Sequence, residues 1–336
     1  MSQSTESRLL PQWLAHRYDP AHDSVHLIDV PRAVRAEVPF LIDAHLASAG
    51  SPVVARRAEV LAQCGTPAPV HFIFHSAYCC STLLANAYDR PGTSFSLKEP
   101  AILNDLVGWR HRGADADQLA ARMCDSVTLL ARPFVPGEVA VIKPSNVVSG
   151  LIEGLLRVAP QPKALLLYAP LEVYLASIAN KGLWGRRWVR DLYLKLHRDG
   201  LTDLGIDADE MFMLTDLQVA AAGWLAQHRL FGRIAGAAPQ RIRTLDSEAL
   251  TARPLDYVAA LDRHFGIATD EGSRAAMITR VFGTHAKFGT AFSPEERIRA
   301  REAAVRAHQD EVEKVHGWAL AVAEANAIAM TPPSPL

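Results

Sequence analysis

The sequence predicts an α/β fold: a mostly parallel central sheet of about five strands, flanked by helices. Three observations predict it. From Ala68 onward, short apolar runs alternate with amphipathic stretches. Most of the runs are apolar nearly throughout, as in strands buried on both faces. Helix-length stretches separate them, as crossovers between parallel strands require.

The elements follow in chain order. Residues 1–66 are interrupted by Pro11, Pro20, Pro31 and Pro39. Short helices are expected over Pro39 to Ala49 and Val53 to Gln63, in an appended N-terminal segment that packs on the core. The α/β core is expected over residues 67–300. Its strands are VHFIF (70–74), SFSL (94–97), VAVI (139–142), ALLLY (164–168) and RIRTL (241–245). Helices are expected over Gln118 to Leu130 and Ser149 to Val158. A long helical insertion, Leu183 to Ile234, carries Trp184, Trp188 and Trp224, which serve as core packing or as the wall of an acceptor pocket. SPEER (293–297) has the form of a capping box, with Ser293 as cap, Pro294 first in the helix and Glu296 third. The C-terminal unit, 301–336, is expected to be a helix to about Ala327 and a disordered tail, TPPSPL.

Composition narrows the function classes. The 336 residues are 49% hydrophobic with a net charge of −1, which fits neither disorder nor a nucleic-acid-binding balance. The longest apolar run, Ala164 to Ala179, is broken by Pro170 and Glu172, so no membrane span is expected. MSQSTESRLL has neither a basic region nor an apolar stretch of the kind an export signal carries. The cysteines are Cys64, Cys79, Cys80 and Cys124, and an adjacent pair makes a poor disulfide framework. A reducing, cytoplasmic setting is expected.

In parallel sheets ligands bind beyond the carboxyl ends of the strands, so the residues after each run are the candidates. HSAYCCST (75–82) links the first core strand to a helix. It lacks the glycines and lysine of a Walker A loop, which weakens a kinase or ATPase reading. Six positions beyond Cys79 and Cys80 stand Ala85 and Asn86, where a phosphatase loop needs arginine. His71 and His75 lie at opposite ends of a strand about 13 Å long, so no metal site is expected. An anion site of backbone N–H groups and hydroxyls remains, with Ser81 and Thr82 where the helix starts. The alternative is that Ser81 only caps the helix and the cysteines only pack.

Further stretches carry a family resemblance. SAYCCSTLL (76–84), LKEP (97–100), TLDSEALTARPLDYVAALDRHFGI (244–267) and HAKFGTAFSPEER (285–297) stand in the order of the signature segments of sulfotransferases, over roughly residues 68–300. The chain thus resembles this P-loop-like family, whose members use 3′-phosphoadenosine 5′-phosphosulfate. The resemblance implies a phosphosulfate loop of Tyr78, Cys79, Cys80, Ser81 and Thr82, with Tyr78 in place of the family's basic residue and Cys80 in place of its glycine. It implies Ser177 near the 3′-phosphate, where the partnering arginine position holds Tyr168 or Ala169. Positive charge must then come from elsewhere. Lys143, directly after VAVI, is expected nearer the 3′-phosphate, and Lys287 is a second cationic candidate. Lys98, Lys181, Arg186 and Arg187 are others.

The implied function is transfer of a sulfuryl group to a hydroxyl or amine of a small-molecule acceptor, with no metal. Glu99 is the first candidate base, His75 the second and His285 the third. The alternatives are a catalytically inactive nucleotide or anion binder and a P-loop small-molecule kinase. Neither a nucleic-acid partner nor a particular oligomeric state is implied. Thiolate chemistry at Cys79 or Cys80, near a helix N-terminus, is expected to be incidental.

Overall fold

The computed structural model describes residues 9–283, 299, 303 and 306–336. The core is a parallel sheet of five strands in the order β5-β6-β4-β7-β8. They are β4 (Val70–His75), β5 (Ser94–Lys98), β6 (Val139–Lys143), β7 (Ala164–Tyr168) and β8 (Ile242–Asp246). Each contains or overlaps one of the expected runs. Both faces are buried: Phe72, Phe74 and Leu166 enter one core, while Ile73, Leu165 and Leu167 enter the other. That two-sided burial is why these segments read as unbroken apolar runs.

The helices Ser81–Asn86, Ala101–His111, Ala116–Leu130 and Ile152–Val158 connect or flank the strands. The insertion forms the helices Gly182–Arg198, Ala208–Met213 and Asp216–Ala237. The last buries Trp224, whose indole N–H donates to the Ala169 carbonyl at 2.9 Å, so this tryptophan is core. Trp184 instead is 64% exposed on the outside of the insertion. Among the described residues, no helix is long and apolar enough to cross a membrane.

Two expectations need correction. The N-terminal segment holds a three-stranded antiparallel sheet of β1 (Trp13–Asp19), β2 (Ser24–Asp29) and β3 (Val53–Arg56). Val53 to Gln63 is therefore a strand followed by a helix, Arg57–Ala62, and only Asp43–Leu46 is α-helical within Pro39 to Ala49. An irregularity between Ala15 and Arg17 breaks the alternation of β1, and Val53 and Val54 are exposed. Period-two patterning is accordingly weak there.

The tail is also ordered. The Thr244 N–H donates to the Ser334 carbonyl and the Leu336 N–H to the Thr244 carbonyl, each at 2.9 Å. Pro335, bridged to Thr244, fits an edge position, because the N–H it lacks lies on the side away from β8. The tail thereby covers the open edge of β8. The C-terminal helix spans Gln309–Ala325, and SPEER lies outside the described residues.

Candidate functional site

The site forms at the carboxyl ends of β4, β5 and β6. After β4 the chain turns sharply: Ala77, Tyr78 and Cys80 have φ of +72°, +53° and +60°. Left-handed backbone at a non-glycine residue costs about 1–3 kcal/mol and persists only where surroundings enforce it. Cys80 holds this conformation as the residue before the helix Ser81–Asn86. Positive φ is a conformation that glycine adopts readily and a cysteine adopts only under constraint. A left-handed residue followed by right-handed backbone, as at Cys80 and Ser81, is a conformation from which anion nests are built.

The turn is anchored at its base. The Ala169 N–H donates to the Ser76 hydroxyl at 3.2 Å, tying the loop to the end of β7. The Ala77 N–H donates to His75 Nδ1 at 3.0 Å. That bond leaves the proton of a neutral imidazole on Nε2, which faces a Glu99 carboxylate oxygen at 3.8 Å. His75 therefore presents a donor rather than a lone pair to the site, and it is 5% exposed. This geometry opposes the role of base considered for His75.

Lys143 occupies the centre. Parallel register sets it beside Lys98, and β6 lies between β5 and β4. Both lysines are 1% exposed. They hold opposite ends of one helix. Lys98 Nζ donates to Asn86 Oδ1 at its end and to the Ala36 carbonyl, each at 2.8 Å. Lys143 Nζ lies 3.5 Å from Thr82 Oγ1 in its first turn. Burial lowers the Lys98 ammonium to about 8. Lys143 also pairs with Glu99 Oε1, and the Phe40 ring lies 5.0 Å from its ammonium.

Glu99 is set by its backbone. Its N–H donates to the Lys143 carbonyl at 2.6 Å, and its φ is +52° just before Pro100. This strained, left-handed backbone is held by the Glu99 N–H bond to β6. The side chain is 17% exposed, so the pair is open to solvent only on the Glu99 side.

The structure brings His75, Thr82, Glu99 and Lys143 together. The Lys143 ammonium lies against Thr82, in the first turn of the helix Ser81–Asn86. The register of β6 dictates this. Ser177 lies on the helix Leu171–Asn180, and its hydroxyl donates to the Val173 carbonyl at 2.7 Å. Tyr78 packs edge-on against Tyr174 and Trp188, with ring centroids 6.0 and 5.6 Å away. A phenol carries no positive charge to replace a basic residue, and burial, which pushes the Tyr78 hydroxyl up to about 12, keeps it neutral.

Cys79 is fully buried in the second core, and burial pushes its thiol up to about 12. The lowered pKa expected near a helix N-terminus does not hold for this residue, because desolvation outweighs the dipole. Arg186 makes a two-bond pair with Glu311 at 3.0 and 2.8 Å, fixing the insertion to the C-terminal helix. Lys181 and Arg187 are exposed on the insertion. His285 and Lys287 lie outside the described residues. Phe40, which no sequence signal marks, is the residue missed. A cleft of about 700 Å³ lies elsewhere, between β1 and the helix Ala101–His111, lined by His16, Arg17, Asp43 and Asp105.

No family model and no curated protein matches the sequence. Among solved structures, the chain is similar to the sulfotransferase domain of the Synechococcus PCC 7002 olefin synthase. The two are 14% identical over 69% of this chain and 83% of that one, with a TM-score of 0.40. It is similar to a sulfotransferase of Mycobacterium avium at 12% identity over 75% and 78%, with a TM-score of 0.43. The sulfotransferase domain of the curacin biosynthetic pathway matches at 13% identity over 68% and 85%, with a TM-score of 0.41. At these TM-scores the likeness carries no argument, and the chemistry is read from this chain's own residues.

Proposed function

We propose that the protein binds 3′-phosphoadenosine 5′-phosphosulfate and transfers its sulfuryl group to a hydroxyl or amine of a small-molecule acceptor. One observation carries this reading. A buried ammonium, Lys143, stands beside Thr82 at the mouth of a strand–loop–helix turn, with a carboxylate, Glu99, against it.

In this reading the N–H groups of Cys79, Cys80, Ser81 and Thr82, the Thr82 hydroxyl and Lys143 hold the 5′-phosphosulfate. The acceptor oxygen or nitrogen forms a bond to sulfur as the bond from sulfur to the 5′-phosphate oxygen breaks. The electron pair goes to the phosphate, whose new charge Lys143 offsets. Glu99 takes the acceptor proton, and adenosine 3′,5′-bisphosphate leaves. Glu99 has two parts here, orienting Lys143 and receiving the proton. His75, whose Nε2 lies 3.8 Å from the carboxylate, stands beside it.

A second reading has an observation of its own. Glu99 already neutralises Lys143, and Tyr78 brings no cation, so the site can hold a nucleotide without transfer. Isothermal titration with adenosine 3′,5′-bisphosphate, set against ATP with magnesium, tests the binding that both readings share. Tighter binding of the bisphosphate is expected, and preference for the magnesium complex would point to a kinase. Production of the bisphosphate from the donor, dependent on an acceptor, separates transferase from binder.

A further inference from the structure

Phe40 belongs to the N-terminal segment, yet its ring lies 5.0 Å from the Lys143 ammonium. Its neighbour Leu41 is joined to the core on both sides of Glu99. The Leu41 N–H donates to the Lys98 carbonyl at 2.7 Å, and the Leu41 carbonyl accepts from the Ala101 N–H at 3.1 Å. The Ala36 carbonyl accepts from Lys98 Nζ at 2.8 Å. Residues 36–41 are thus bonded to the backbone that brackets Glu99 and to the lysine beside Lys143.

From this juxtaposition we infer that Phe40 is a positioning residue for Lys143, so that the N-terminal segment forms part of the anion site. The inference rests on Lys143 being the cation that meets the donor. An aromatic face attracts an ammonium through its quadrupole and leaves the full positive charge for a ligand. A second carboxylate at that place would cancel it. Glu99 on one side and Phe40 on another leave the direction of Thr82 for an incoming phosphate. A merely apolar residue would fill the space without drawing the ammonium to it.

The test uses the full chain with Phe40→Leu, Phe40→Met and Phe40→Tyr, each checked for cooperative thermal unfolding. Two readouts are taken: affinity for adenosine 3′,5′-bisphosphate by calorimetry, and acetylation of Lys143 by acetic anhydride, followed by mass spectrometry. The leucine and methionine variants are expected to acetylate faster at Lys143 and to bind about tenfold more weakly, the scale of a desolvated cation–π contact. The tyrosine variant, which keeps the face, should match the native protein in both. Native acetylation and affinity in the leucine and methionine variants overturn the inference. So does equal loss in the tyrosine variant, since ring chemistry would then not matter. If the native protein binds no bisphosphate but acetylation follows the expected pattern, Phe40 still positions Lys143 and the donor reading is what fails.

Discussion

Replacing Glu99 with glutamine keeps the side chain's shape and removes its charge. Lys143 then has the Thr82 hydroxyl at 3.5 Å and the Phe40 ring at 5.0 Å around an ammonium that is 1% exposed. Breaking one partner of a buried ion pair costs about 3–5 kcal/mol, because the other charge stays buried and uncompensated. The lower end applies here, since Glu99 is 17% exposed and water can reach that side of the pair. A loss of about 3 kcal/mol in urea unfolding at neutral pH is therefore expected. The Lys143→Met variant leaves the more accessible partner alone and should lose less. The double variant should recover much of the loss, giving a coupling of about 2 kcal/mol or more. Adenosine 3′,5′-bisphosphate should stabilise Glu99→Gln more than the native protein, because a phosphate restores the missing counter-charge. A loss under about 1 kcal/mol, with no coupling in the cycle, would refute the pair as the organiser of the site.

Three further outcomes follow from the same structure. Lys98 has a folded-state pKa lowered to about 8 from 10.5, so between those values the unfolded chain binds the extra proton. The burial cost is present below about pH 8 and is relieved toward 10.5; native stability relative to Lys98→Met should therefore rise across that window, by at most about 1.4 kcal/mol per pH unit. A flat difference in urea unfolding between pH 7 and 10.5 contradicts it. Cys79, buried and with its thiol pushed up to about 12, should alkylate with iodoacetamide far more slowly at pH 8 than exposed Cys124. Equal rates by mass spectrometry would show the loop opening readily. Deleting 331–336 removes the two backbone bonds at Thr244 and uncovers the edge of β8. It should cost about 1–3 kcal/mol and increase self-association on sedimentation, whereas an unchanged protein would mean that the tail only rests there.

The parts of the fold legible in the sequence are those whose burial is two-sided. VHFIF, VAVI and ALLLY stand out because nearly every position is buried, whereas SFSL and RIRTL send two apolar residues each into a core, Phe95 and Leu97, and Ile242 and Leu245. The β1–β3 sheet does not stand out, since His16 and Arg17 occupy strand positions and enter a polar network with Asp43 and Asp105. The tail reads as disordered because TPPSPL has prolines and no apolar pattern, and only its partner strand explains it.

Within the site, Glu99, Lys143 and Thr82 were legible because each directly follows a strand or begins a helix. Their mutual arrangement was not. It depends on which strands are neighbours, and β6 stands between β5 and β4 out of chain order. That strand order brings Lys143 to Thr82. Phe40 was beyond reach for a different reason: its contact with Lys143 spans over a hundred positions and uses no local pattern. Cys80 shows another limit: nothing in its identity marks the left-handed backbone it adopts, φ +60°.

The most direct measurement of the central claim is a crystal structure of the protein with adenosine 3′,5′-bisphosphate. The account predicts the 5′-phosphate in the turn formed by residues 76–82, hydrogen-bonded to the Thr82 hydroxyl and to Lys143 Nζ, with the Phe40 ring still against that ammonium. A nucleotide seated in the cleft beside His16 and Asp105, or a bound 5′-phosphate that Lys143 does not touch, would contradict it.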